Sequence, residues 1–246
     1  IPPPSLLTTL LPATPPSSFS FRGDHLGGHE AKPHSRPYMA FVSFLVGKKR
    51  KRCDGVLVQE EFVLTAAHCK GSSVKVTLGA HNIKKPEKTQ QVTFVTKAIA
   101  HPDYDCNTLF NDIMLLQLKR EAKLTKAVQP LRLHENMAQV NPGDKCLVAG
   151  WGEDEVELTV QDELKCKSVF RAFSYITEIC MGDPRKTKSS SVLSLSAHRG
   201  TLGLPSCVTT WCKAFSLVER NMEDPQESSQ KSSHFLPWVK STTKHF

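Results

Sequence analysis

The chain has 246 residues, 39% of them hydrophobic and 23% charged, with a formal net charge of +8. That composition excludes a disordered chain, and a chain this long can bury about 70–75% of its unfolded surface in one large all-β domain or two smaller ones. The basic excess favours acidic partners, such as a proteoglycan, nucleic acid or an anionic membrane, without choosing among them. The chain has 8 cysteines, none in a C-x-x-C pair. This argues against a zinc or redox motif and for a disulfide-bearing protein of an oxidising compartment, with many pairings open.

Residues 1–24 are rich in Pro, Ser, Leu, Thr and Phe and nearly free of charge. Prolines deny such a segment helix and ladder bonds, so it is expected to be an unfolded tail. The leucines Leu6, Leu7, Leu10 and Leu11 are broken by threonines and followed by prolines, without a basic stretch before them, so they do not make a signal peptide. Pyrimidine-rich codons encode such a run, and its end at Phe21-Arg22-Gly23 looks like a translated intron terminus. No apolar run is long enough for a transmembrane helix.

From Gly27 to Gly152, short β-rich runs alternate with turn residues. Strands are expected at Met39–Leu45, Val56–Val58, Phe62–Thr65, Val74–Leu78, Val92–Ile99, Ile113–Leu118 and Leu147–Ala149, a spacing that suggests a barrel or sandwich. The one helix expected lies at the end, where Phe235, Leu236, Trp238 and Val239 share an apolar face behind a Ser232 or Ser233 cap. Residues 189–231, opened by a serine-rich run and closed by the polar Glu219–Lys231, lack strand alternation and are not expected to pack well.

Two strings carry chemistry. In Leu64-Thr65-Ala66-Ala67-His68-Cys69 a strand delivers a histidine at its end, beside a cysteine that can lock the loop. A general base needs a ring held in that way, and imidazole exchanges protons near neutral pH. In Asn111-Asp112-Ile113-Met114-Leu115-Leu116 an acid precedes an unbroken apolar strand. A carboxylate at the edge of a buried wall needs a partner, and His68 fits. A satisfied histidine and a turn aspartate are the bland readings of either string alone; their joint occurrence favours a site.

Together these strings resemble the chymotrypsin-like serine peptidases. The run from Gly27-Gly28-His29-Glu30 to Met39-Ala40 is similar to the start of the granzyme branch, near granzymes B and H. Val76-Thr77-Leu78-Gly79-Ala80-His81-Asn82-Ile83, Ala149-Gly150-Trp151-Gly152 and Ser233-His234-Phe235-Leu236-Pro237-Trp238 agree. The resemblance covers roughly residues 25–188 and 232–246. It implies an all-β fold of two six-stranded antiparallel barrels with a C-terminal helix, the site lying between them, over a peptidase domain at 25–246. It also implies His68 as base, Asp112 as its orienting acid and a serine nucleophile later in the chain. Cys53–Cys69 and Cys166–Cys180 match family disulfides. Cys146 would seek a partner near Cys207, and Cys106 and Cys212 are left over. The further expectations are protein substrates, a monomer, no cofactor or metal, no nucleic acid, and a secreted or cytolytic-granule location. The basic run Lys48-Lys49-Arg50-Lys51-Arg52 reads as a hairpin loop, either a solvated turn or a proteoglycan contact.

The resemblance fails at the nucleophile. The family motif Gly-Asp-Ser-Gly-Gly-Pro is missing, and Gly200-Thr201-Leu202-Gly203-Leu204-Pro205-Ser206-Cys207 stands in its place. Codons for the motif, read one base late, encode Gly-Thr-Leu-Gly-Ala-Pro, so a frame shift over 189–231 is expected, with a damaged second barrel. Leu202 then occupies the serine's place, and Ser206 reads as an ordinary loop serine. The family's activated N-terminus pairs with the Asp of that motif. Here His25-Leu26-Gly27-Gly28 and Thr201 stand at the two ends of that switch. Between Gly152 and Leu158 the chain is shorter than the family's, and Asp54 replaces a usual glycine after Cys53.

Overall fold

The computed structural model describes residues 30–133, 141–148, 156–169, 181–182, 192–193 and 231–244. Six strands come from the first half: β1 Met39–Val46, β2 Lys49–Gln59, β3 Phe62–Thr65, β4 Ser72–Leu78, β5 Gln91–Ala100 and β6 Met114–Leu118. They close into an antiparallel barrel in the order β1-β2-β3-β6-β5-β4. Every strand expected between Met39 and Leu118 is present, most of them a residue or more longer than expected.

The barrel is filled by alternate residues, as the period of two along a strand requires. Ala40, Val42 and Phe44 of β1, Val74, Val76 and Leu78 of β4, and Met114, Leu116 and Leu118 of β6 meet in its interior with Cys53, Leu57 and Val63. A second core lies outside the wall. Val56, Val58, Phe62, Leu64, Ile113 and Leu115 pack there against Phe235 and Val239. These last two belong to the C-terminal helix α2, Lys231–Lys244. Strands β3 and β6 are therefore covered on both faces, which is why Phe62–Leu64 and Ile113–Leu116 read as unbroken apolar runs rather than alternating ones. Gly55 sits where β2 and β3 approach closely: a Cβ there would lie 2.8 Å from Val63 Cγ1 and 2.9 Å from the Leu64 carbonyl.

The second half follows the same antiparallel plan. Strands β7 Lys145–Val148, β8 Val156–Val160, β9 Met181–Gly182 and β10 Val192–Leu193 form a four-stranded sheet in the order β10-β9-β8-β7. A short helix, α1 Glu163–Val169, follows β8. Neither β8 nor α1 is expected from the sequence: Val156–Val160 overlaps the shortened Gly152–Leu158 stretch, and α1 is too short for a helical period to show. Val192–Leu193, inside the segment not expected to pack, pairs with Met181–Gly182. The tail 1–24, Gly200–Cys207 and Cys212 lie outside the described residues. No helix among the described residues is long and apolar enough to cross a membrane.

Two expectations are corrected. The basic run is not a loop: only Lys48 lies in the turn, with Gly47 at φ +59. Lys49, Arg50, Lys51 and Arg52 are strand residues of β2, paired with Val46, Leu45, Phe44 and Ser43. The antiparallel ladder to β1 holds the backbone in register, while the long cationic side chains carry their charge into water. At the other end, α2 begins at Lys231, so Ser232 and Ser233 lie in its first turn rather than at the cap.

Helix α2 docks on the barrel through His101. Its ring lies 5.7 Å from Phe235 and 5.1 Å from Trp238, and its Nδ1 accepts the Asp103 N–H at 3.2 Å. Burial holds this imidazole below its ordinary value of 6.5, with Asp103 opposing and His234 reinforcing the shift. A histidine depressed in the folded state contributes stability that is complete above the unfolded value and is lost as pH falls through the folded one. Docking of α2 is therefore expected to weaken as the pH drops below 6.5. Thermal melts of the parent and of His101→Gln across that range check it: the substitution should flatten the acid dependence.

Candidate active site

The candidate site is assembled at the point where β3 ends. After Thr65 the chain turns through a 3-10 segment, Ala67–Cys69, that carries His68. Two ties fix this turn. Cys69 is disulfide-bonded to Cys53 of β2, and buried Thr65 donates through Oγ1 to the Asp54 carbonyl at 2.8 Å. The disulfide is the one the family resemblance implies. The threonine tie is not anticipated, although a hydroxyl ending an otherwise apolar run, just before a histidine, is a visible signal for it.

Asp112 arrives from the opposite side, two residues before β6. Asn111 adopts φ +54, a left-handed conformation that asparagine tolerates better than most residues. Ile113 N–H closes onto the Asn111 carbonyl at 2.7 Å. This tight turn swings the carboxylate towards His68. Both oxygens are used: Oδ1 accepts the His68 backbone N–H at 2.9 Å, and Oδ2 lies 2.6 Å from His68 Nδ1. The histidine side chain is 6% exposed and the aspartate side chain 1%.

An ionised carboxylate only accepts hydrogen bonds, so His68 Nδ1 must carry the proton in this contact. The ring's lone pair is then on Nε2. A backbone bond and a side-chain bond to one carboxylate also leave the ring little freedom to rotate. A ring so held can take a proton at Nε2, with the carboxylate steadying the cation that forms. Asp112→Asn tests the arrangement. The amide can turn its NH2 to the ring, and His68 is then expected to switch to the Nε2–H tautomer, at a stability cost of about 1 kcal/mol. Nitrogen NMR of the imidazole and a thermal melt read the two effects.

Cys53, His68 and Cys69 crowd together in a way that could suggest a metal ion. They do not fit one, because both sulfurs are committed to the disulfide and zinc binds thiolate.

The structure thus brings together His68, Asp112, Cys53 and Cys69 from three separate stretches of sequence. Cys166, on α1, is buried and disulfide-bonded, while Cys180 lies outside the described residues. Cys146 lies on β7 opposite Leu158. Cys106 is a free thiol, as the pairing left over from the family implies. Leu202 and Ser206 are outside the described residues.

A closed six-stranded antiparallel barrel with a His–Asp pair at its rim and a C-terminal helix against its wall is the architecture of the chymotrypsin-like peptidases, and the chain belongs to the trypsin family, which matches residues 25–191. Within that family it falls in the granzyme branch. It is 50% identical to human granzyme H over 230 residues, covering 89% of this chain and 91% of that protein. It is 47% identical to human granzyme B over 236 residues, covering 91% and 93%. The solved structure described as "Structure of GrC" superposes with a TM-score of 0.70 at 44% identity, covering 89% of this chain and 99% of that one. By homology, this is a granzyme-like chain of the trypsin family of serine proteases.

Proposed function

We propose that this chain is a granzyme-type serine endopeptidase homologue that keeps the base and orienting acid of acyl transfer but cannot supply the nucleophile. The observation that carries the reading is the paired contact of Asp112 with the backbone and ring of His68, joined to the sequence Gly200-Thr201-Leu202-Gly203. In the working reaction, His68 Nε2 would take the proton of an attacking hydroxyl and later return it to the leaving amine, while Asp112 steadies the imidazolium. Leu202 has no proton to give and no lone pair with which to attack. Residues 25–246 are read as one peptidase domain, of which 189–231 depart from the family, the segment where the specificity pocket and the substrate-aligning strand would lie.

Two origins are compatible with that sequence. The chain is either a catalytically dead homologue that acts by binding, or the product of a reading frame displaced over 189–231. The serine-rich run before Gly200 and the family-like text from Ser233 favour displacement. Sequencing the messenger RNA across the codons for Thr187–Ser233 separates them. A transcript encoding Gly-Asp-Ser-Gly-Gly-Pro in frame would make the cellular protein an ordinary protease. A transcript encoding Gly200-Thr201-Leu202-Gly203 would establish the inactive chain as real. Secretion or storage in a cytolytic granule, a monomeric state, and contact of the basic β2 run with an acidic proteoglycan follow from the same family reading.

A further inference from the structure

The outer wall of the barrel, on strands β2, β1, β4 and β5, carries cations and exposed apolar side chains together. Residues directly opposite across antiparallel strands share a face. One row across this wall runs Arg52–Ser43–Lys75–Phe94, and the next runs Asp54–Phe41–Thr77–Val92, with Ser43 and Thr77 buried between their neighbours and Lys75 half-buried beside Phe94. On the other side of the first row lie Arg50 and Leu45. Phe94 is 57% exposed and Val92 51%, in a strand whose inward residues are sheltered. Arg50, Arg52 and Lys75 stand against a single acid, Asp54, in these rows.

Exposed apolar side chains that are contiguous with cations and turned away from the protein's own core call for an explanation. A polyanion such as a sulfated glycan would satisfy the cations and leave Phe94 and Val92 in water. An acidic peptide needs a groove, whereas the outside of a closed barrel is convex. A convex face that offers cations at headgroup depth and an aromatic side chain beyond them suits an interface that is both anionic and apolar. We propose that this wall is a peripheral docking surface for a bilayer containing anionic phospholipid, with Arg50, Arg52 and Lys75 meeting headgroups and Phe94 and Val92 entering the acyl boundary. This surface does not depend on the chain's being a peptidase.

The experiment is co-sedimentation of the purified full chain with vesicles of phosphatidylcholine, with and without phosphatidylserine, beside retention on a heparin column. The parent is expected to sediment with the anionic vesicles only. Phe94→Ser should weaken that binding about tenfold, because an aromatic side chain loses its apolar burial, and should leave heparin retention unchanged. Arg52→Ser should weaken vesicle binding about fivefold, the contribution of one cation at an anionic surface. Phe94→Ala and Val92→Ser serve as second variants, each compared with the parent by thermal melt. Absence of vesicle binding at physiological salt overturns the proposal. Vesicle binding that is indifferent to Phe94 and Val92 also overturns it and assigns the wall to a polyanion.

Discussion

Cleavage of peptide substrates by this chain is expected to fall about a million-fold below that of an intact triad, and His68→Ala is expected to lower it no further. The two halves of this result have one cause. In a working triad the base is worth nearly as much as the nucleophile, because each acts only through the other. Here the base is built: the ring is nearly buried, and Asp112 bonds both its Nδ1 and its backbone N–H. On the proposed reading, in which Leu202 stands where the family's sequence has its serine, the proton acceptor has nothing to activate. Steady-state assays of the parent and His68→Ala, with and without a serine-protease inhibitor, check the pair. A rate that drops on substitution of His68 would mean that some hydroxyl, Thr201 and Ser206 being the nearest to Leu202 in sequence, had taken the role.

Replacing Cys53 and Cys69 with alanine is expected to cost about 3 kcal/mol of stability, which is what closing a loop of this size contributes in the chain-entropy account. The two residues are 16 apart in sequence, and the loop they close contains β3 and the His68 turn. Both cysteines are buried in the barrel core, so the substitution also removes apolar contacts there. Denaturant melts of the parent and the double variant read the cost. The local effect should be larger than the global one, because β3 has four residues and the turn after it has no side-chain cap. Loss of the close His68–Asp112 contact in the variant, read from the imidazole nitrogen shifts, is the matching sign at the site.

The first barrel and its rim were legible in the sequence because each feature there has a short-range signature. Phe62–Leu64 and Ile113–Leu116 are continuous apolar runs, flanked by Thr65 and Asp112, the polar residues that the site uses. What the period could not show is why these runs are continuous. That depends on α2, which arrives from the far end of the chain to cover the outer faces of Leu64 and Leu115. The basic run was misread for a related reason. Lys and Arg side chains mark solvent exposure, not backbone state, and here the backbone is held by partners in β1. Helix α1 and the two-residue strands β9 and β10 are too short to leave a period. The contact of Asp112 with the His68 backbone N–H also has no sequence signature, since it depends on the left-handed turn at Asn111.

The most direct test of the central claim is intact-mass measurement of the purified chain after exposure to a fluorophosphonate, which forms a stable ester only with an activated serine. The account predicts no added mass, in the parent and in His68→Ala alike. An adduct of one probe per chain that disappears in His68→Ala would contradict it, and peptide mapping would then identify the serine that His68 activates.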